Sequence, residues 1–143
     1  MGNNISITKK VNYEDIQYVM KNNNFLLINT LNPNNQKCLI KHTIEINKEE
    51  QIINKCLNEY KTDITIIIYD KNANEDNLIT KYNQLQKLGF SNVYIYPGGL
   101  FEWLCLQDIY GESEFPTTSR ELDILKYKAK SILNEKFLLT DID

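Results

Sequence analysis

The chain is poor in the residues from which small chemical sites are usually built: three cysteines (Cys38, Cys56, Cys105) and a single histidine, His42, in 143 residues. The cysteines are odd in number, widely spaced and form no Cys-x-x-Cys. That argues against a disulfide framework or a zinc site, and for a reducing, cytoplasmic compartment. No apolar stretch approaches the ~20 residues that a membrane span needs, and no signal-peptide core is present. No Lys/Arg run exists, and the net charge is -3, so nucleic acid is not an expected partner. What remains is ordinary for a soluble globular protein, with 42% hydrophobic and 24% charged residues. The length suits one domain with a core of its own, expected to span 1–143. The abundance of Asn, Ile and Lys is the bias of an AT-rich genome, such as that of a giant virus or a protist.

Short apolar runs alternate with amphipathic stretches, which predicts an α/β domain with a mostly parallel central sheet flanked by helices on both faces. Strands are expected at 6–8, 25–28, 43–46, 64–69 and 93–96. The β-branched run at 64–69 has the character of a central strand covered on both sides. Helices are expected after Asn12, whose partner Asp15 lies three residues on, and at 49–60, 78–88 and 100–106. Gly89 suits a helix C-terminus. Thr118 and Glu121 read as a capping box opening a last helix through about Leu133. On that helix Leu122, Leu125, Ile132 and Leu133 would dock on the domain, with Lys126, Lys128 and Lys130 facing solvent.

Residues 89–103, Gly-Phe-Ser-Asn-Val-Tyr-Ile-Tyr-Pro-Gly-Gly-Leu-Phe-Glu-Trp, are similar to the end of a rhodanese domain, with Trp103 four residues after the second glycine. The glycine pair allows a sharp strand-to-helix turn with a positive φ, and Trp103 would bury its ring on the sheet. Leu26-Leu27-Ile28-Asn29 and the segment 40–46 match upstream family segments. There, Asn29 stands for the usual Asp, Leu31 for Arg, Leu39 for His and His42 for Gly. The resemblance covers about 5–110, leaving an extension and helix at 111–137.

In active members of that family, the strand matching 64–69 ends in a cysteine that opens a loop of the form C-x-x-G-x-R-S. The cysteine works as a thiolate that carries sulfur as a persulfide. Loop amides and a helix N-terminus favour the thiolate and hold the anionic substrate. Here the loop reads Asp70-Lys71-Asn72-Ala73-Asn74-Glu75-Asp76. The resemblance therefore implies an inactive sulfurtransferase homologue with no catalytic residue, a loop whose carboxylates take the anion's place, and a role as a protein-interaction or regulatory module.

The alternative is a sulfurtransferase or redox enzyme using an atypical cysteine. Cys38 is the exposed candidate, while Cys56 and Cys105 are expected in the core. Asp70-x-Asn72-x-Asn74 begins like a calcium loop, but Glu75 replaces its turn glycine and Lys81 its bidentate glutamate. No metal and no cofactor are therefore assigned. His42 reads as a structural histidine. At the N-terminus, Met1-Gly2-Asn3-Asn4-Ile5-Ser6 fits the N-myristoylation pattern with Gly2 as acceptor, against the plainer reading of an incidental glycine. One myristoyl chain, helped by Lys9 and Lys10, would give only weak, reversible membrane association.

Overall fold

A computed structural model describes residues 8–134 of the chain. Three parallel strands, β1 (Phe25–Asn29), β2 (Thr65–Tyr69) and β3 (Val93–Ile95), form a sheet in the order β1-β2-β3. Leu27 pairs with Ile67, and Ile67 in turn with Tyr94. Single bridges widen both edges, Leu27 to Thr43 on one side and Ile95 to Lys10 on the other. Helices α1 (Tyr13–Met20), α2 (Glu49–Asn58), α3 (Asp76–Lys87) and α4 (Gly99–Tyr110) flank the sheet.

Both crossovers advance the same way across the sheet, so a common hand puts their helices, α2 and α3, on one face. Helices α1 and α4 cover the other. Strand β2 supplies both cores through its two-residue period. Ile66 and Ile68 pack with Ile53 and Cys56 of α2 and with Leu78, Tyr82 and Leu85 of α3. Ile67 and Tyr69 pack with Ile16 of α1 and with Leu100, Trp103 and Leu104 of α4. All four β2 residues are at most 1% exposed, as its β-branched run requires.

Asn12 caps α1 by the expected box: its Oδ1 accepts from Asp15 N, and the Asp15 carboxylate accepts from Asn12 N. Gly89 ends α3 at φ +106°, with Phe90 N donating to Leu85 O and Gly89 N to Gln86 O. This 6→1, 5→2 pattern is a Schellman cap. Helix α2 closes in the same way, through Lys61 N to Cys56 O and Tyr60 N to Leu57 O. There a tyrosine takes the left-handed position, at φ +57°. Tyr60 thus lies beyond α2 and is 90% exposed, rather than completing its apolar face.

Other expectations fail locally. Residues 43–46 form no strand, because only Thr43 pairs and Ile46 already starts a 3-10 turn. Of the expected strand at 6–8, Ser6 and Ile7 lie outside the described residues, as does Gly2, and edge pairing is made at Lys10. The last helix does not form over 118–132, where only Ile124–Tyr127 is helical, as a 3-10 turn. Thr118, the expected cap, is committed elsewhere. Its Oγ1 accepts from Leu39 N and donates to Lys37 O, while Thr117 bridges Ile40. Leu122, Leu125, Ile132 and Leu133 all face solvent, and Tyr127 is the residue that docks, 2% exposed.

Candidate functional site

The loop after β2 is held between three partners: the end of β1, the first turn of α4 and the C-terminal tail. Asp70, the first residue past β2, is 3% exposed. Its Oδ2 accepts from Thr30 Oγ1 at 2.5 Å and its Oδ1 from Lys71 N at 2.6 Å. Both carboxylate oxygens are thus engaged within the protein. Thr30 gave no signal in the sequence; it matters only because parallel pairing of β1 with β2 carries the chain past Asn29 beside Asp70.

Helix α4 donates Leu100 N to Asp70 O (3.0 Å) and Phe101 N to Lys71 O (2.9 Å). Amides of a first helical turn have no intrahelical acceptor, and here the loop's carbonyls take them. The approach is so close that a Cβ on Gly99 would stand 2.5 Å from Asp70 O and 2.9 Å from the Lys71 carbonyl. Of the glycine pair, only Gly99 has a positive φ, +64°.

Further along the loop, Asn72 is 7% exposed. Its Oδ1 accepts from Asn74 N, and its Nδ2 donates to Tyr127 O at 2.9 Å. Glu75 occupies the N-cap of α3 without making a side-chain cap; instead it lies 3.8 Å from Lys71 Nζ as a half-exposed ion pair. Asp76 is exposed in the first turn of α3, where a carboxylate is favourable to the helix dipole. The Asp70 carboxylate thus turns to Thr30 and Lys71 N while the Asn72 side chain turns to Asn74 N and Tyr127 O, and among the described residues no cluster of three or more His, Cys, Asp or Glu could hold a metal.

A cleft of about 240 Å³ remains beside the loop, lined by Thr30, Asn32, Asn35, Asp70, Lys71 and Glu75 among others. A larger groove of about 580 Å³ runs between α2 and α3, where Lys81 pairs with Glu49.

The other matched positions have become structural. Asn29 Oδ1 accepts from Leu31 N and Gln36 Nε2, while its Nδ2 donates to Gln36 Oε1. Leu31 and Leu39 are each 5% exposed and join the core. His42 keeps a left-handed backbone, φ +74°, the conformation that glycine adopts without strain. Its exposed ring meets Phe25 edge-on, with centroids 6.5 Å apart.

The cysteine assignment is reversed. Cys38 is buried, 4% exposed, and its Sγ donates to Ser119 O at 3.2 Å. Burial, and then the Glu121 carboxylate, push this thiol up from its ordinary value. Cys105 is the more accessible residue and Cys56 is buried as expected. The tail is the physical cause, since 117–119 folds back over the segment holding Cys38.

Residues 14–105 match the family model for the rhodanese-like domain. The chain belongs to that family. The BH2092 protein of Bacillus halodurans has a similar structure, with 16% identity and a TM-score of 0.57 over 92% of this chain and 90% of that one. The Alr3790 protein from Anabaena sp. gives 16% identity and a TM-score of 0.57, covering 81% of this chain and 97% of that one. A thiosulfate sulfurtransferase from Pseudomonas aeruginosa gives 14% and 0.54, covering 68% of this chain and 19% of that one. At such identities the likeness is one of fold. No curated protein matches the chain. No described helix is long and apolar enough to cross a membrane.

Proposed function

We propose that this rhodanese-like domain is a non-catalytic module that acts by binding another protein. The observation that carries the reading is Asp70. It stands where the family resemblance puts the sulfur-carrying cysteine, and its carboxylate is turned inward onto Thr30 and Lys71 N. A carboxylate cannot form the persulfide. It also places negative charge where an anionic sulfur donor would have to sit, which opposes binding. No cofactor enters this reading.

Sulfur transfer through Cys38 is the competing reading, and burial weighs against it: a thiol kept protonated and packed under the tail is a poor nucleophile. A thiosulfate–cyanide assay on the native chain, Cys38→Ser and Asp70→Cys separates the two. None should turn over. Asp70→Cys stays silent because Glu75 and Asp76 remain and the loop still lacks the arginine of active members. Native turnover lost in Cys38→Ser would overturn the proposal, and substantial turnover in Asp70→Cys would overturn the account of the loop.

A further inference from the structure

We infer that residues 120–128 form a strap that opens by itself, hinged after Ser119. One opening event uncovers the Cys38 thiol and frees the Asn72 amide of the loop. The tail changes character at Ser119. Before the hinge, Pro116 O accepts from Lys41 N, and Thr118 is bonded to Leu39 in both directions, Thr118 N to Leu39 O at 2.8 Å and Leu39 N to Thr118 Oγ1 at 3.0 Å. The hydroxyls of Thr118 and Ser119 both donate to Lys37 O. Beyond it, two bonds reach the rest of the domain among the described residues: the exposed Arg120–Glu112 pair and Asn72 Nδ2 to Tyr127 O. The others close on the strap itself, as with Lys126 to Glu121 and the amides of Ile124, Lys126 and Lys128.

Burial divides the tail at the same point. Between 120 and 134, Tyr127 is the one buried residue, with Ile124 partly buried against the same core. Few buried apolar contacts and solvent-facing backbone bonds mark a segment that opens at less than the free energy of global unfolding. Tyr127 nevertheless sits where two sensitive groups meet. It shares a core with Cys38, and its carbonyl accepts from the buried Asn72 side chain. Groups acting on the thiol include Glu121 and Lys126 of the strap itself. For the binding role proposed above, the strap is an autoinhibitory contact, because it occupies the loop at Asn72. The opening itself stands apart from that role and is tested without a partner.

The test is iodoacetamide labelling of the full chain, mapped to Cys38 by mass spectrometry, across urea concentrations below the unfolding transition. Global stability is followed in parallel by far-ultraviolet circular dichroism. The Cys38 rate should rise with urea far less steeply than global unfolding would dictate, because that slope scales with the surface exposed. Ile68→Val, in the core on the other face of the sheet, should lower the global midpoint and leave the Cys38 rate within about twofold. Tyr127→Ala should raise that rate by about tenfold or more. Asn72→Asp keeps the acceptor for Asn74 N but sets an oxygen against the Tyr127 carbonyl, and should raise it several-fold. A Cys38 rate that tracks global unfolding, both in urea and in Ile68→Val, would overturn the inference even if Tyr127→Ala fails to fold. So would a rate that neither Tyr127→Ala nor Asn72→Asp changes, since Cys38 would then be reached by another route.

Discussion

Replacing Gly99 by alanine should be among the most damaging single changes available to this chain, and Gly98→Ala one of the milder. At Gly99 the positive φ alone costs an L-residue about 1–2 kcal/mol, of which the stiffer unfolded chain returns roughly 0.4–1 kcal/mol. Contact with backbone costs more. A Cβ 2.5 Å from Asp70 O and 2.9 Å from the Lys71 carbonyl must push α4 and the loop about 1 Å apart to reach ordinary van der Waals distance. Leu100 N to Asp70 O and Phe101 N to Lys71 O, now 3.0 and 2.9 Å, would then exceed hydrogen-bonding length. Two such bonds contribute about 1 kcal/mol each, more where a buried carbonyl is left without a partner. Together these losses reach roughly 3–5 kcal/mol out of a typical total of about 5–15 kcal/mol.

Gly98 has ordinary helical angles, and the three atoms nearest to its Cβ would all belong to the Glu102 carboxylate. That side chain can swing away for the loss of its 2.7 Å bond from Tyr96 Oη, about 1–2 kcal/mol. Urea melts followed by fluorescence of Trp103, the only tryptophan and fully buried, would report both. With a slope of about 2 kcal/mol/M, Gly99→Ala should lower the midpoint by roughly 2 M and Gly98→Ala by roughly 0.5–1 M. Equal shifts would refute the claim that backbone contact, rather than glycine content, sets the requirement.

At Tyr60 the opposite change should help: Tyr60→Gly removes left-handed strain from a side chain with almost no packing to lose, raising stability by about 0.5–1 kcal/mol in a thermal melt, whereas Gly89→Ala, at the equivalent cap of α3, should lose as much. Stability should fall as pH rises above about 10. Burial holds the Tyr69 and Tyr96 hydroxyls protonated well above their ordinary range, with Glu102 adding to the effect at Tyr96. The unfolded state then binds fewer protons than the native one, and each such tyrosine contributes a slope of about 1.4 kcal/mol per pH unit; Tyr96→Phe should remove one such contribution, and an unchanged slope would count against the assignment. Iodoacetamide with mass-spectrometric mapping should label Cys105 well before Cys38 in the native state, and the reverse order would contradict the docked tail.

The sequence reveals those parts of the molecule that are determined by local pattern. The Ile run of β2 announces a strand buried on both sides, and Asn12 with Asp15, or Gly89 after Leu88, marks a helix end by chemistry that acts over a few residues. What it hides depends on contacts between distant segments. The apolar spacing of the last segment suits a helix, yet Thr118 bonds to Leu39 and Lys37, some 80 residues away in sequence, and that tertiary pairing outweighs local propensity. The burial of Cys38 follows from the same fold-back. At the loop, the residue types of 70–76 state the missing cysteine and the excess of carboxylate, but the inward turn of Asp70 needs Thr30, which only the strand register supplies.

The bond from Trp103 Nε1 to the Pro116 carbonyl, 3.1 Å long, carries a consequence for where this domain stops. The family-model match ends at residue 105, yet Trp103, Phe115 and Tyr127 share one core, and Gln107 holds the Phe115 carbonyl from within α4. The stretch that the family model matches is therefore shorter than the stretch that shares this core. A chain cut after Tyr110 would keep β1 to β3 and α1 to α4, and would still present a bare aromatic face to water.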